Sequence, residues 1–502
     1  MLGWETIHGE LRLSRTERAR QRSRTAAVTQ VIRGAPDYPN VPLGDDRLLE
    51  QASWIGIAVS LALIVIFWAD WTSGIIGVVV LGLSIYGAIY QRFAARFRQR
   101  LVDRFAEDRL SQIKIINYVA FSLVTLFPRI LLPKDYQDSG YRISSYRHGF
   151  AAWSRELNDW LIGLTGGEIA FSHDPSQFEP PSALGEGVRQ HVELRQVLSG
   201  KAFSNDRKIR LATDLVKDGS GNFPAHLCLQ RTDYLTGLCT NELSFKQVIN
   251  STTRETIYDG LKFFLRSEAT GQLIFRGLQA SECSNQISTS TIAFTADGYL
   301  ALVDQTDSNL QSSGLVAPSG SGSLDEADLA ASDGRFVAWI EEASKRELRE
   351  ELGIHPDIDM EPGRRDALSA LAISSILVGY CVYLFRGGKP EFFFLASIGC
   401  SLADLKMRRK YSEAEGTLSK PFVTSEAYRL RAGCDVAAEI LRILDELEAC
   451  EGFRLSCPLE VQIEMLRHLC AGQPDKVRAL FARRPGPVPQ SKTIPEPQYL
   501  AQ

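Results

Sequence analysis

Three glutamates share one side of a predicted helix in the second half of the chain. Glu347, Glu350 and Glu351 stand at positions i, i+3 and i+4, so a helix places them on one face. Three carboxylates this close repel one another unless a divalent cation lies between them, and oxygen ligands of this kind suit Mg²⁺ or Mn²⁺. A metal held there bridges to a pyrophosphate and polarises the phosphorus that is attacked. Arg346 lies one turn before Glu350, where its guanidinium is placed to hold that carboxylate.

The segment that contains these glutamates matches a known sequence motif. Residues 346–354 read R-E-L-R-E-E-L-G-I and agree at every fixed position with the second half of the Nudix box, R-E-U-x-E-E-x-G-U. Upstream, Gly320 followed by Glu326 fits the first half of the box, G-x5-E. The ordinary box has seven residues between that glutamate and the arginine, whereas here the stretch from Asp328 to Lys345 includes an insertion. The alternative interpretation is a solvated, glutamate-rich helix that follows a flexible glycine linker.

The glycine-rich stretch before the helix is a candidate phosphate contact. Gly320, Ser321 and Gly322 lie in a predicted loop, and the backbone amides of such a loop are placed to cradle a phosphate. Together with the helix, this stretch gives a predicted metal site. Its expected ligands for Mg²⁺ or Mn²⁺ are Glu347, Glu350, Glu351 and Glu326.

A basic turn farther along the chain supplies further candidates. Two apolar, aromatic stretches are joined by Arg386-Gly-Gly-Lys-Pro, which predicts a β-hairpin. Arg386 and Lys389 are expected to face phosphates, or alternatively to blunt the edge of the hairpin turn. Glu391 is the candidate glutamate outside the box for a general base or a metal ligand, and the alternative is a surface carboxylate at a strand edge. The predicted catalytic set is Glu350, Glu351, Arg346 and Glu391.

Length and composition indicate several domains and argue against some classes of protein. A chain of 502 residues is too long for one typical core. Its hydrophobic content of 44%, charged content of 23% and net charge of −4 are ordinary for a folded protein. Nine cysteines occur without a C-x-x-C pair or a matching histidine cluster, so a zinc site and a disulfide framework are both disfavoured.

Two uncharged apolar runs near the N-terminus have the length of membrane spans. Ala52 to Ala69 and Thr72 to Tyr90 contain no charge, and Asp70 alone interrupts them. Each run is about long enough to cross a hydrocarbon core of roughly 30 Å. Arg47 precedes the pair and several arginines follow from Arg92 onward, so both ends are expected in the cytoplasm. The alternative is a buried helical hairpin in a soluble domain.

The sequence therefore predicts an α+β fold class: an N-terminal transmembrane α-hairpin, a helical segment and a C-terminal Nudix-like α/β/α sandwich. The predicted organisation is a basic cytoplasmic arm (1–51), a two-helix transmembrane hairpin (52–90), a cytoplasmic helical connector (91–205), a Nudix-like domain (206–455), and a C-terminal helix with a flexible proline-rich tail (456–502).

This combination resembles the CD-NTase-associated NUDIX effectors of CBASS anti-phage systems. The matching elements are residues 52–90, 317–323, 346–354 and 386–392. The resemblance implies a bacterial inner-membrane protein whose Nudix-like domain senses a cyclic di- or oligonucleotide made by a partner cyclase. It further implies self-association on activation, contact with membrane lipid, and abortive infection through disruption of the inner membrane. No direct contact with nucleic acid is expected.

Two other functions remain open at this point. The glutamate set is compatible with a membrane-tethered, Mg²⁺-dependent Nudix hydrolase of nucleoside diphosphate-linked substrates. A membrane-tethered housekeeping Nudix protein unrelated to defence is the third possibility.

Overall fold

The computed structural model describes residues 113–117, 129–164, 169–199, 205–305, 314–331, 334–352, 373–406, 422–450 and 454–482. Its strands are β1 Ile113–Asn117, β2 Ile130–Leu131, β3 Tyr141–Tyr146, β4 Gly149–Ser154, β5 Ala170–Gln177, β6 Arg207–Leu211, β7 His226–Asp233, β8 Lys246–Asn250, β9 Thr256–Asp259, β10 Leu265–Ser267, β11 Leu273–Phe275, β12 Ser288–Phe294, β13 Leu302–Asp304, β14 Val316–Ala317, β15 Gly320–Ser323, β16 Ile373–Tyr383, β17 Lys389–Ile398 and β18 Phe422–Val423. Its helices are α1 Lys134–Asp138, α2 Arg155–Gly163, α3 Gly185–Ser199, α4 Tyr234–Thr240, α5 Leu261–Phe264, α6 Phe336–Glu351, α7 Val436–Ala449, α8 Cys457–Gly472 and α9 Pro474–Ala482.

The chain divides into two compact units. The smaller unit includes most of helix α3, and its ranges are Met1–Lys114, Glu186–Ser204 and Ile249–Glu255. The larger unit contains every candidate site residue, and its ranges are Ile115–Gly185, Asn205–Val248 and Thr256–Gln502. All the contacts discussed below lie within the larger unit.

A six-stranded mixed sheet organises the larger unit. Its strand order is β15-β12-β17-β16-β4-β3, in which β12 and β17 run parallel and the other neighbours run antiparallel. Strand β17 is buried along its whole length, as its continuous apolar and aromatic sequence predicts for a strand covered on both faces. Strands β16 and β17 are the two halves of the hairpin that the basic turn predicted, and that prediction is confirmed.

Helices cover both faces of this sheet. Alternate residues of β17 point to opposite sides, so Phe393 and Leu395 pack with residues of α7, α8 and α9 such as Leu466. Ala396 points to the other side and packs with Leu348 of α6. The larger unit is therefore a mixed α/β fold with helices on both faces of the sheet, which we call the α6 face and the α8 face.

Helix α6 lies unusually close to edge strand β15. Its apolar residues recur at helical spacing and form its buried side. The approach is possible because two residues of β15 have no side chain. A Cβ on Gly320 would lie 2.6 Å from Leu348 Cα, and one on Gly322 would lie 2.0 Å from a carboxylate oxygen of Glu347. The two glycines therefore set the distance between the sheet and α6, which we call the box helix because it contains the start of the 346–354 motif.

The predicted fold class is wrong in its account of the chain before residue 206. The segment assigned as a helical connector contains strands β3 and β4, which pair antiparallel and occupy one edge of the six-stranded sheet. Trp153 lies in β4, and helix α2 begins only at Arg155. These strands belong to the sheet because the buried residues Ala151 and Ala152 pair with β16 and extend its apolar centre.

The predicted transmembrane hairpin and the inner-membrane localisation also need correction. Across the described ranges, no helix combines the length and apolar character that a membrane span requires. The longest apolar stretches there, in β16 and β17, are strands at the centre of the sheet rather than helices. Residues 52–90, on which the two-span prediction rests, lie outside the described residues, as do the basic arm and the proline-rich tail. The membrane-anchored arrangement is therefore withdrawn from the functional interpretation.

Replacing Gly320 with alanine is expected to destabilise the protein by about 1–3 kcal/mol, because the new methyl group meets the backbone of α6. The measurement is urea unfolding of the wild type and the G320A variant. The G163A variant is the matched control, since no atom lies within 4 Å of the added methyl group at the end of α2. The control is expected to change the free energy of unfolding by less than about 1 kcal/mol. Equal effects of the two substitutions would contradict the close helix–strand approach.

Candidate functional site

Arg346 is the centre of a cluster of carboxylates at the start of the box motif. Its Nε lies 2.8 Å from Asp328 Oδ1 and its Nη2 lies 3.0 Å from Asp328 Oδ2, so the pair makes two parallel hydrogen bonds. Nη1 donates to Glu350 at 3.0 Å, and Nη2 donates to Glu347 at 3.0 Å. Asp325 Oδ2 lies 3.3 Å from the same Nη2. One guanidinium thus holds four carboxylates, two of which the box motif does not include.

The two additional carboxylates belong to a short acidic turn between β15 and α6. We call residues 325–328 the acidic turn. The amide of Asp328 donates to the carbonyl of Asp325 at 3.0 Å, and the amide of Asp325 donates to the Asp328 carboxylate at 2.9 Å. These bonds close the turn and aim its carboxylates away from the sheet core, toward neighbouring cations.

Strands β6 and β7 supply the cations that complete the cluster. Arg231 donates through Nε to Glu326 Oε1 at 2.7 Å, and Arg207 lies 3.5 Å from the other oxygen of this carboxylate. Lys208 pairs with Asp325 and donates to the Ser323 carbonyl at 3.2 Å. Asp325 therefore lies between a lysine of β6 and the arginine of α6.

Glu347 is the most buried carboxylate of the box. Only 8% of the residue is exposed, because its side chain fills the space above Gly322. Burial raises the pKa of Glu347 to about 7. The charge of Arg346 partly offsets this shift, and the charge of Glu350 adds to it. The Glu347 carboxyl is therefore partly protonated at neutral pH.

Glu391 and Lys389 lie on the other face of the sheet. Glu391 is paired in register with Ser288, and both Ser288 and Ser290 donate hydroxyl hydrogen bonds to its carboxylate. Gly322, beneath Glu347, is paired instead with Thr289. Since successive residues of a strand point to opposite faces, Glu391 lies on the α8 face of the sheet, whereas Glu347 of α6 lies on the α6 face. The sheet separates these two predicted site residues.

The basic residues of the β16–β17 turn have partners inside the protein. Arg386 is half-buried against Glu242, to which its Nε donates at 2.7 Å. Lys389 donates to the Ser323 hydroxyl at 3.1 Å on the α8 face. Burial is the main cause that lowers the pKa of Lys389 to about 7, and the neighbouring charge of Arg386 adds to the shift.

The predicted phosphate loop is a strand. Gly320, Ser321 and Gly322 belong to β15 and pair antiparallel with Thr291, Ser290 and Thr289 of β12, respectively. The glycines favour this arrangement because they accept the close packing of α6, which a larger residue would prevent. The interpretation as an open amide loop is therefore wrong.

The predicted metal ligands do not fit a Mg²⁺ or Mn²⁺ site. Glu326 is bound to Arg231, and Glu347 and Glu350 are both bound to Arg346. In the parts of the chain that the structure describes, no group of three or more histidine, cysteine, aspartate or glutamate side chains is arranged to hold a metal. Glu351, on the last turn of α6, also has an interaction partner. Arg231 and Arg346 therefore pair with three of the four predicted ligands.

Sequence reasoning missed the residues that neutralise the box. Asp325 and Asp328 are visible only as a short acidic run next to the helix, and Lys208 and Arg231 lie more than 90 positions upstream. The available signals were the acidic run and the three basic residues of β6, which reads Arg207-Lys-Ile-Arg-Leu. Neither signal identified its partner.

Comparison with models of known protein families gives no match, and no curated protein matches the sequence. The fold and the site therefore define the class on their own: a mixed α/β domain whose box-like helix is held against an edge strand by an internal ion-pair network.

The E347Q variant is expected to gain stability relative to the wild type as the pH rises. The native state binds the Glu347 proton more tightly than the unfolded chain, whose pKa is near 4.5, so native wild-type stability falls between about pH 4.5 and 7. The glutamine variant lacks this loss. The difference in unfolding free energy between the two proteins should therefore be larger at pH 8 than at pH 4.5, by roughly 2–3 kcal/mol. Urea unfolding at both pH values provides the measurement, and a difference independent of pH would contradict the burial of this carboxyl.

The K389M variant is expected to show the opposite trend at higher pH. The buried amine of Lys389 releases its proton near pH 7 in the native state and near pH 10.5 in the unfolded chain. Wild-type stability should rise across this interval because the unfolded chain binds more protons, whereas the methionine variant lacks that contribution. The wild type should therefore gain roughly 2–4 kcal/mol on the variant between pH 7 and pH 10. Unfolding curves that move in parallel across this range would show that the amine is solvated.

Proposed function

We propose that the protein is a Nudix-like nucleotide sensor that binds a cyclic di- or oligonucleotide second messenger without hydrolysing it. In this proposal it acts as an effector of CBASS-type anti-phage defence. The observation that carries the proposal is the state of the box helix. Glu347 lies against Gly322, and the carboxylates of Glu347 and Glu350 are both bound to Arg346 of the same helix.

The electrostatics of the site favour binding over hydrolysis. Hydrolysis through this type of box needs open carboxylate oxygens for a divalent cation, and Arg346 already binds those of Glu347 and Glu350. The expected base, Glu391, lies on the opposite face of the sheet and is fixed by two serine hydroxyls.

The cations beside the box helix favour an anionic ligand. Arg207, Lys208 and Arg231 come from two adjacent strands and pair with Asp325 and Glu326 of the acidic turn. Arginine recognises phosphate through paired hydrogen bonds, and lysine adds a compact positive charge. A nucleotide with two or more phosphates supplies the matching negative charges.

Calorimetric titration of the full-length protein with a panel of cyclic di- and oligonucleotides tests the proposal. At least one messenger is expected to bind, and chromatography after incubation with Mg²⁺ should recover it intact. A Mg²⁺-dependent product that disappears in the E351Q variant would instead establish the hydrolase. If no cyclic nucleotide in the panel binds, the proposal that the protein is a nucleotide sensor is wrong.

A cellular experiment tests the defence role separately. Expression of the protein together with a cyclase that makes the bound messenger should arrest growth, whereas either component alone should not. Self-association is expected on binding, and light scattering with and without the messenger measures it. Growth arrest that does not depend on the messenger would argue against an effector switched by a nucleotide.

A further inference from the structure

The carboxylates of the acidic turn bind two arginines through the same guanidinium atoms that bind phosphate groups. Arg346 binds both oxygens of Asp328 through Nε and Nη2, at 2.8 and 3.0 Å. Arg231 directs Nε and Nη2 toward a single oxygen of Glu326. Both arrangements use the donor pair with which arginine recognises phosphate groups. The two arginines thus meet two separate anionic groups that belong to one four-residue turn.

The turn also reverses the local charge. Around Arg346 and strands β6 and β7, four cations face five carboxylates, which gives a formal net charge of −1. Three of the five carboxylates belong to the acidic turn. Without Glu326 and Asp328 the same cluster carries a formal charge of +1, which would attract a polyanion at close range.

Solvent reaches the cluster from one side. Arg207 keeps 70% of its side chain exposed, and Arg231 and Arg346 keep 29% and 28%. A ligand can therefore contact these groups without opening the sheet. The backbone of Asp325 is fixed by a bridge to Lys208, whereas Glu326 and Asp328 are connected to the cluster through their side chains. The latter two carboxylates are the ones that are able to exchange.

We propose that the acidic turn is an internal substitute for ligand phosphates, and that the nucleotide binds by taking Arg231 and Arg346 over from Glu326 and Asp328. This inference rests on the proposed function, since it locates the phosphates of the messenger. Binding exchanges one set of charge-assisted hydrogen bonds for another, so the turn lowers the affinity and excludes ligands that carry a single phosphate. Two phosphate groups on one ligand match two arginines released together.

The E326Q/D328N double variant tests this exchange. Glutamine and asparagine keep the shape and hydrogen-bonding ability of the turn but remove two of its three negative charges, so both arginines become more available to anions. Inorganic tripolyphosphate and the cyclic nucleotide are expected to bind at least about tenfold more tightly than to the wild type. Calorimetric titration at two ionic strengths provides the measurement, and the gain should shrink at the higher salt concentration.

The D435N variant is the matched control. Asp435 binds Arg478 through two hydrogen bonds of 2.7 and 3.1 Å, which is the same geometry as the Arg346–Asp328 pair, but it lies at the start of α7. Its loss should leave the affinity for tripolyphosphate unchanged. The R231Q variant should weaken nucleotide binding by about tenfold, because it removes a proposed phosphate ligand.

Hydrogen exchange of the wild type supplies a measurement that does not depend on the folding of any variant. Amides of residues 325–331 should exchange faster when the nucleotide is bound, because the turn has lost its arginine contacts. Slower exchange of this segment on binding would overturn the proposal, as would unchanged affinity in a folded double variant.

The results separate this inference from the proposed function. If the cyclic nucleotide binds the wild type and the double variant equally, the sensor stands and the acidic turn is only structural. If no cyclic nucleotide binds, but the double variant binds tripolyphosphate at least about tenfold more tightly than the wild type, the anion site stands and the proposed messenger fails.

Discussion

The close contact between helix α6 and strand β15 is the constraint on which the rest of the site depends. Gly320 and Gly322 have no side chains, so Leu348 and Glu347 rest directly on the backbone of the strand. This contact buries the Glu347 carboxylate and raises its pKa. It also brings the end of β15, and therefore the acidic turn that follows it, within reach of Arg346. A larger residue at either glycine would push α6 away from strand β15 and from the acidic turn.

The second organising feature is the balance of charge across three elements. Arg346 of α6 and the cations of β6 and β7 meet the acidic turn between them, so two layers of the fold are connected through ion pairs. Half-buried pairs of this kind are held by several partners at once, which restricts each side chain more than an isolated surface pair would. The same balance explains why a motif associated with metal binding has no open ligand set here. The carboxylates are present, and Arg346 is paired with those of Glu347 and Glu350.

Glu391 is separated from α6 because the alternation of side chains along β17 puts it on the other face of the sheet. Residues two apart on β17 share a face, so Lys389 and Glu391 both point toward α8, where Ser323, Ser288 and Ser290 bind them. Their polar contacts stabilise the α8 face rather than assist chemistry on the α6 face. Glu391 and the glutamates of α6 therefore lie on opposite faces of the sheet.

Local sequence periodicity by itself determined the box helix, the shared face of its glutamates and the β16–β17 hairpin, because helix and strand repeats depend only on neighbouring residues. It also suggested a helical connector before residue 206, where the structure instead places β3 and β4 at the edge of the sheet. Only the tertiary structure decided that Glu326 binds Arg231 and that Glu391 lies across the sheet from Glu347. The physical reason is that strand register and long-range ion pairs join residues about a hundred positions apart, and no local spacing encodes which distant strand supplies the partner.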